Sequence, residues 1–312
     1  MKKIAYLMSA ISAGLFSSAA HADISVAGSA SVAYNGAGGN TTIIHGGSVS
    51  FGLSTTTDSG MTISSGAGIT RDTDGAGSAA VTGLSSVSFA TGGATITAGY
   101  DIGVADGAAS VGELVTVADL NSNGVTNTGG MGDDEGAGVS LSTSFGGAAL
   151  SVVYIYDKVA GAVTSGDLDG AANTGTSVAI SMPVAGGTFG ANYASGDVNG
   201  TTDTETSATF AYPTAGGTLT LGYGSFEGDT TTTNGTTFGV AYSMDLDGTA
   251  IGVGYQSYDV NSASGNSTDV TVSRSLGGGA SVFAEMRNTG GTVGTTSTSS
   301  TSTVAIGSSI SF

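Results

Sequence analysis

At 312 residues, with 24 acidic side chains against 6 basic ones, the chain carries a formal charge of −18. It lacks the clustered Lys and Arg that phosphate binding needs, which excludes nucleic acid as a partner. It has no cysteine, so disulfides and Cys-containing metal sites are excluded, and 55 glycines with only 2 prolines, set among Val, Ile, Phe and Tyr, indicate many strands and tight turns.

Residues 1–22 place Lys2 and Lys3 before an apolar stretch from Ile4 to Phe16 and close on Ala20, His21 and Ala22. That is the order of a secretory leader cleaved near Ala22, so the expected organisation is a signal peptide over 1–22 and one domain over 23–312. The apolar stretch is too short and too rich in Ser and Ala for a membrane helix. Cleavage would leave Arg71, Lys158, Arg274 and Arg287 as the basic residues.

From Ile24 onward the apolar residues recur with a period of two, the mark of strands. The series opens with Ile24, Val26, Ala30, Val32 and Tyr34, passes through Val49, Phe51 and Leu53, and continues to Val304, Ile306, Ile310 and Phe312. Sixteen candidate strands are counted, an even number. Short connections (TTTDSG after Leu53, TGG after Ala90, GG after Phe145, AGG after Val184, TAGG after Pro213, DLDG after Met244 and LGGG after Ser275) alternate with longer polar ones. The longer set lies around 35–45, 71–83, 101–135, 157–174, 196–204, 227–235, 259–267 and 288–302.

Short turns at one end and long loops at the other, with strands of about 9 to 11 residues, describe a closed transmembrane β-barrel: all-β, sixteen antiparallel strands, short periplasmic turns and long external loops. Tyr34, Tyr100, Tyr156, Tyr193, Tyr223 and Tyr255 fall beside the long loops, and Phe89, Phe145, Tyr212, Tyr242 and Phe312 beside the short turns, as two interfacial girdles would. The alternative is a secreted or surface-displayed β-rich structural or adhesive protein. A soluble sandwich, however, sets Lys, Glu and Arg on its polar face, and here those positions hold Gly, Ser, Thr and Ala.

Four segments carry a resemblance: ADISVAGSASVAYNG, STTTDSGMTISSGAG, SRSLGGGASVFAEM and the terminal SSISF. They resemble the Gram-negative general porins, particularly the alphaproteobacterial type. The resemblance implies a trimeric outer-membrane channel for passive diffusion of small hydrophilic solutes and ions. It also implies a third external loop, here 101–135, folded into the lumen as a constriction. A terminal Phe, here Phe312, would be the signal read by the barrel-assembly machinery.

Within 101–135, Ser110 and Glu113 form an S-x-x-E capping box, and Val111, Leu114, Val115 and Ala118 recur at helical spacing, which predicts a short helix pinned by its apolar face. Asp101, Asp106, Glu113, Asp119, Asp133, Asp134 and Glu135 lie in the same stretch without Lys or Arg. Folded inward, they would form an acidic rim that attracts cations. The basic ladder that general porins set opposite such a loop is sparse here. Arg287 and Glu285 have the inward parity of their strand, Arg71 falls at a strand end, and Arg274 has the outward parity, where it would snorkel to headgroups or mark a bulge. A cation-preferring channel is expected.

No catalytic constellation stands out, and no cofactor is expected. His45 is the one histidine left after cleavage, too little for a Ser-His-Asp triad. Three D-x-D-G tetrapeptides, at 72–75, 167–170 and 245–248, would bind calcium at most weakly, because none continues into a twelve-residue loop ending in Glu; turn formation is the expected role.

Overall fold

A computed structural model describes residues 22–37, 40–71, 79–103, 114, 135–156, 174–198, 201–228, 234–260, 263–293, 296–297 and 300–312. All elements among them are strands: β1 (Ala22–Ala37), β2 (Asn40–Thr56), β3 (Thr62–Arg71), β4 (Ala79–Thr82), β5 (Ser86–Thr91), β6 (Ala94–Gly103), β7 (Glu135–Phe145), β8 (Ala148–Tyr156) and β9 (Thr174–Val184). The series continues with β10 (Gly187–Val198), β11 (Thr201–Thr214), β12 (Gly217–Glu227), β13 (Gly235–Leu246), β14 (Thr249–Val260), β15 (Ala263–Gly277), β16 (Ala280–Val293), β17 (Thr296–Ser297) and β18 (Thr301–Ser311). β4 and β5 both pair with β3 and act as two pieces of one strand, while β17 pairs only with the tip of β16. The barrel therefore has sixteen strands, each antiparallel to its neighbours, closed where β18 pairs with β1.

The seven short turns fall where glycine, joined by Ala185 and Asp247, supplies left-handed backbone. At Gly146 and Gly147 φ is 56° and 83°, the two positive values of a type I′ hairpin whose twist matches the flanking strands. At the third D-x-D-G, Asp245 Oδ1 accepts a hydrogen bond from the Gly248 amide at 2.9 Å and Asp247 has φ 54°, so this tetrapeptide builds the β13–β14 hairpin. The other two tetrapeptides lie outside the described residues.

Several strands are longer than expected: β1, β2, β11, β15 and β16 run for 16, 17, 14, 15 and 14 residues. Pairing persists to Ala37↔Asn40, Val198↔Thr201 and Val260↔Ala263, so the loops expected over 35–45, 196–204 and 259–267 are mostly hairpin arms. Their polar composition reads as loop, but β-branched residues such as Thr41, Thr42, Ile43 and Ile44 favour the extended backbone, and the ladder continues wherever both chains can pair.

Which face is wet decides between a soluble β protein and a membrane barrel. Val26, Phe51, Val178, Val253 and Ile306 lie on the outward rows and are exposed, Val26 and Ile306 by more than half. Residues of the opposite parity near the loop ends, such as Ser177, Gln256 and Ala305, are buried. A soluble sandwich would invert this order, so the exposed apolar belt is a lipid-facing surface. No helix among the described residues is long and apolar enough to cross a membrane, and the crossing is made by strands. Tyr34, Tyr100, Tyr156, Tyr193, Tyr223 and Tyr255 are exposed at the loop ends of their strands, and Phe145, Tyr212 and Phe312 at the turn ends. The stacked pairs Tyr154–Tyr156 and Phe210–Tyr212 add a second row to each girdle, with ring centroids 6.1 Å apart.

Phe312 completes the closure. Its N–H donates to the Gly28 carbonyl at 3.0 Å, and its carbonyl accepts from the Gly28 N–H at 2.9 Å. The ring lies over the Gly28 Cα, so that a Cβ there would stand 2.5 Å from Cζ. Gly28→Val should therefore displace the ring and destabilise the barrel by about 2 kcal/mol, read as a lower guanidinium midpoint after refolding into lipid vesicles. Deleting Phe312 should lower the yield of heat-modifiable folded protein more than Gly28→Val does; equal yields from deletion and wild type would refute a role in closure.

Candidate functional site: the inner wall of the barrel

Inward side chains follow from strand parity, and they divide by height. Toward the short turns the wall is largely hydroxyl-lined, with Ser29–Ser48 at 3.0 Å, Ser88–Thr97 at 2.8 Å and Ser281–Ser309 at 2.7 Å bridging adjacent strands. These cross-strand hydroxyl pairs satisfy each other and leave a small polar surface toward the lumen.

Toward the loop ends the wall carries two different surfaces. On β14 to β16, Asp269 accepts from Arg287 Nε through Oδ1 at 2.5 Å, and from Gln256 Nε2 at 3.1 Å and Ser267 Oγ at 3.2 Å through Oδ2. Glu285 Oε1 stands 3.8 Å from Arg287 Nη2. Register explains the cluster: Asp269 pairs with Arg287, Ser267 with Gln256, and Thr271 with Glu285. All these side chains are at most 5% exposed, so their charges act in a low-dielectric setting where removing one partner is costly.

On β6, β8, β10 and β12 the inward surface is apolar: Ile102, Val153, Ile155, Ala194 and Phe226 are buried and form one cluster. Ile102 reaches it because the ladder between β6 and β7 shifts register between Gly99 and Ile102, which turns a residue of outward parity inward. Gly138, beside Ile155 in the ladder, leaves room for it; a Cβ there would stand 3.3 Å from Ile102 Cβ. Glu205, also buried, lies opposite Ala194 on one side and Phe226 on the other.

The expected site residues sort as follows. Glu285 and Arg287 stand in the inward row and belong to the network above. Arg71 is the last residue of β3, opposite Gly47 and in the register row of Ile69 and Ala67, which is the outward row. Arg274 is exposed on the outward row, donating from Nη1 to Thr249 Oγ1 at 3.1 Å, and the β15–β16 ladder is irregular just beyond it, between Ser275 and Gly277. Asp101 lies within the β6 irregularity and Glu135 opens β7 opposite Gly103. Asp106, Glu113, Asp119, Asp133 and Asp134, and the helix expected after Ser110, lie outside the described residues. His45 is exposed on the outward row opposite Val32. Among the described residues no group of three or more His, Asp or Glu could hold a metal ion.

Asp269, Gln256, Ser267 and Glu205 were missed from sequence, although parity alone points to them: Asp269 alternates with Val270 and Val272. Val153 and Ile155 carried a signal too, since VVYIY is apolar on both faces.

With the closed barrel and its split inner wall established, comparison with known proteins is decisive. The model of the family described as Gram-negative porin matches residues 9–308. The chain belongs to that family. Among solved structures, a loop L8 deletion mutant of OmpT, an outer membrane protein of Vibrio cholerae, superposes with a TM-score of 0.74 at 14% identity, covering 93% of this chain and 99% of its own. In-vitro folded OmpT of Vibrio cholerae, in its trimer form, gives 0.71 at 12% identity over 93% and 99%. An anion-selective porin from Comamonas acidovorans gives 0.67 at 12% identity over 94% and 100%. At such identities the likeness is one of fold. No curated protein sequence matches the chain significantly.

The apolar sector of this porin's inner wall is a packing surface, so Ile155→Ala should destabilise the barrel by about 3 kcal/mol, read from the unfolding midpoint. Ser151→Ala, on the same inward row nearer the short turn, should change it by less than about 0.5 kcal/mol.

Proposed function

We propose that this outer-membrane porin is a cation-preferring diffusion channel for small hydrophilic solutes, assembled as a trimer. The observation that carries the charge preference is the inward row of the loop-side half: Asp203, Glu205, Asp269 and Glu285 against Arg287. A fixed excess of carboxylates on a confined wall raises the local concentration of cations and lowers that of anions. The same barrel fold serves an anion-selective porin, so the sign of selection must come from such side chains and not from topology. The trimer rests on the family and on the trimer form of the OmpT structure.

We also propose that the segment 101–135 enters the lumen and sets size and charge selection through Asp101, Asp106, Glu113, Asp119, Asp133, Asp134 and Glu135. Two features support this. Its ends, Ile102 and Gly136, pair with each other at the level of the inward apolar cluster. Val111, Leu114, Val115 and Ala118 recur at helical spacing in the sequence, and a helix there would offer that cluster an apolar face.

The purified protein in a planar bilayer should give ohmic channels with a reversal potential of cation sign under a KCl gradient; absence of channels would refute the proposal. Replacing Asp133, Asp134 and Glu135 together by amides should shift the reversal potential toward the anion value. An unchanged potential would exclude them from the constriction.

A further inference from the structure

We infer that the outer wall carries a lipid site at the loop-side girdle, between β12 and β15, which takes the head group of a zwitterionic phospholipid with a primary ammonium. The site faces the membrane and not the lumen, so it stands or falls apart from ion selection.

Register assembles it from outward rows. Tyr223 pairs with Phe238, Thr236 with Asp259, Asp259 with Ser264, and Ser257 with Asn266. Together with Tyr255 these residues line a cavity of about 430 Å³, within the size range of small-molecule sites. Its walls are ordered by height. Tyr223, Phe238 and Tyr255 are about half-exposed on the membrane side, and exposed Asp259 stands four residues beyond Tyr255 on the same row. On that side the rows run on into the apolar belt as Leu221, Val240 and Val253.

Each level answers one part of such a lipid. The apolar rows receive its acyl chains. The hydroxyls of Thr236, Ser257 and Ser264 and the amide of Asn266 can donate to its phosphate, and the Asp259 carboxylate accepts from the ammonium, which the aromatic walls also attract. An anionic lipid fits badly: among the described lining residues there is no Lys or Arg to take a net negative charge, and Asp259 repels it. The arrangement is also more than a girdle. Tyr34 is as exposed as Tyr223, yet its row continues to Gly36 without a carboxylate.

The test uses the full-length protein refolded into vesicles of equimolar phosphatidylethanolamine and phosphatidylglycerol, extracted in mild detergent, with retained lipid counted by native mass spectrometry. Phosphatidylethanolamine should be retained over phosphatidylglycerol by about fivefold, the scale of one half-exposed ion pair with a cation–π contact. Asp259→Asn and Phe238→Leu should each bring the ratio to about twofold or less, and Tyr34→Leu should leave it unchanged. Equal retention of the two lipids by wild type would overturn the site, and that result needs no variant to fold. So would a ratio unmoved by Asp259→Asn, or one lost equally in Tyr34→Leu, which would make the preference a property of the whole girdle. A protein that keeps the preference yet forms no channels would overturn the channel reading and leave the lipid site standing.

Discussion

Inside hydrocarbon every backbone N–H and C=O needs a partner from the protein, because no water is there to supply one. This requirement shapes the whole chain. It forces the last strand to meet the first, which is why β18 pairs with β1 from Ser29↔Ser311 to Ala37↔Thr303 and why Phe312 exchanges two hydrogen bonds with Gly28. It also forces parity: once the ladder is closed, side chains alternate between lipid and lumen, and the outward rows must be apolar whatever the inward rows do.

The inward rows are thereby free to differ, and they do so by height and by sector. Hydroxyl pairs bridge adjacent strands in the half near the short turns. Near the loop ends one sector is apolar and another holds a buried cluster of charges. A charge cluster this well buried is screened less by salt than an exposed rim would be. The inner wall thus carries two chemistries, Ser and Thr hydroxyls toward the short turns and a few charged side chains in one sector near the loop ends.

Much of this was legible in the sequence because it follows from a period of two. Alternation from Ile24 to Phe312 located the strands and assigned the lipid face, and the GG, AGG and DLDG segments located the turns. Glu285 and Arg287 came from parity alone. What stayed hidden depends on contacts across strands or on breaks in the period. The Asp269 network joins residues from three strands, and only the register brings Gln256, Ser267 and Arg287 around one carboxylate. Ile102 turns inward because of a ladder irregularity that no local pattern announces. The hairpin arms at 35–45, 196–204 and 259–267 have the composition of loops, since composition reports polarity and the ladder reports pairing.

A ring packed on a glycine recurs across this barrel. Phe312 covers Gly28 and Phe210 covers Gly187 on the outer face, while Phe283 covers Gly307 and Tyr258 covers Gly265 on the inner one. At the closing seam the pairing has a consequence for assembly. A one-residue slip of β18 along β1 would turn its whole apolar row into the lumen, and a two-residue slip would set the Phe312 ring on the Cβ of Val26 or Ala30 in place of bare backbone. Gly28 thereby acts as a gauge mark, a glycine flanked on the outward row of β1 by Val26 and Ala30, and the seam can tell its correct register from its near neighbours by shape alone.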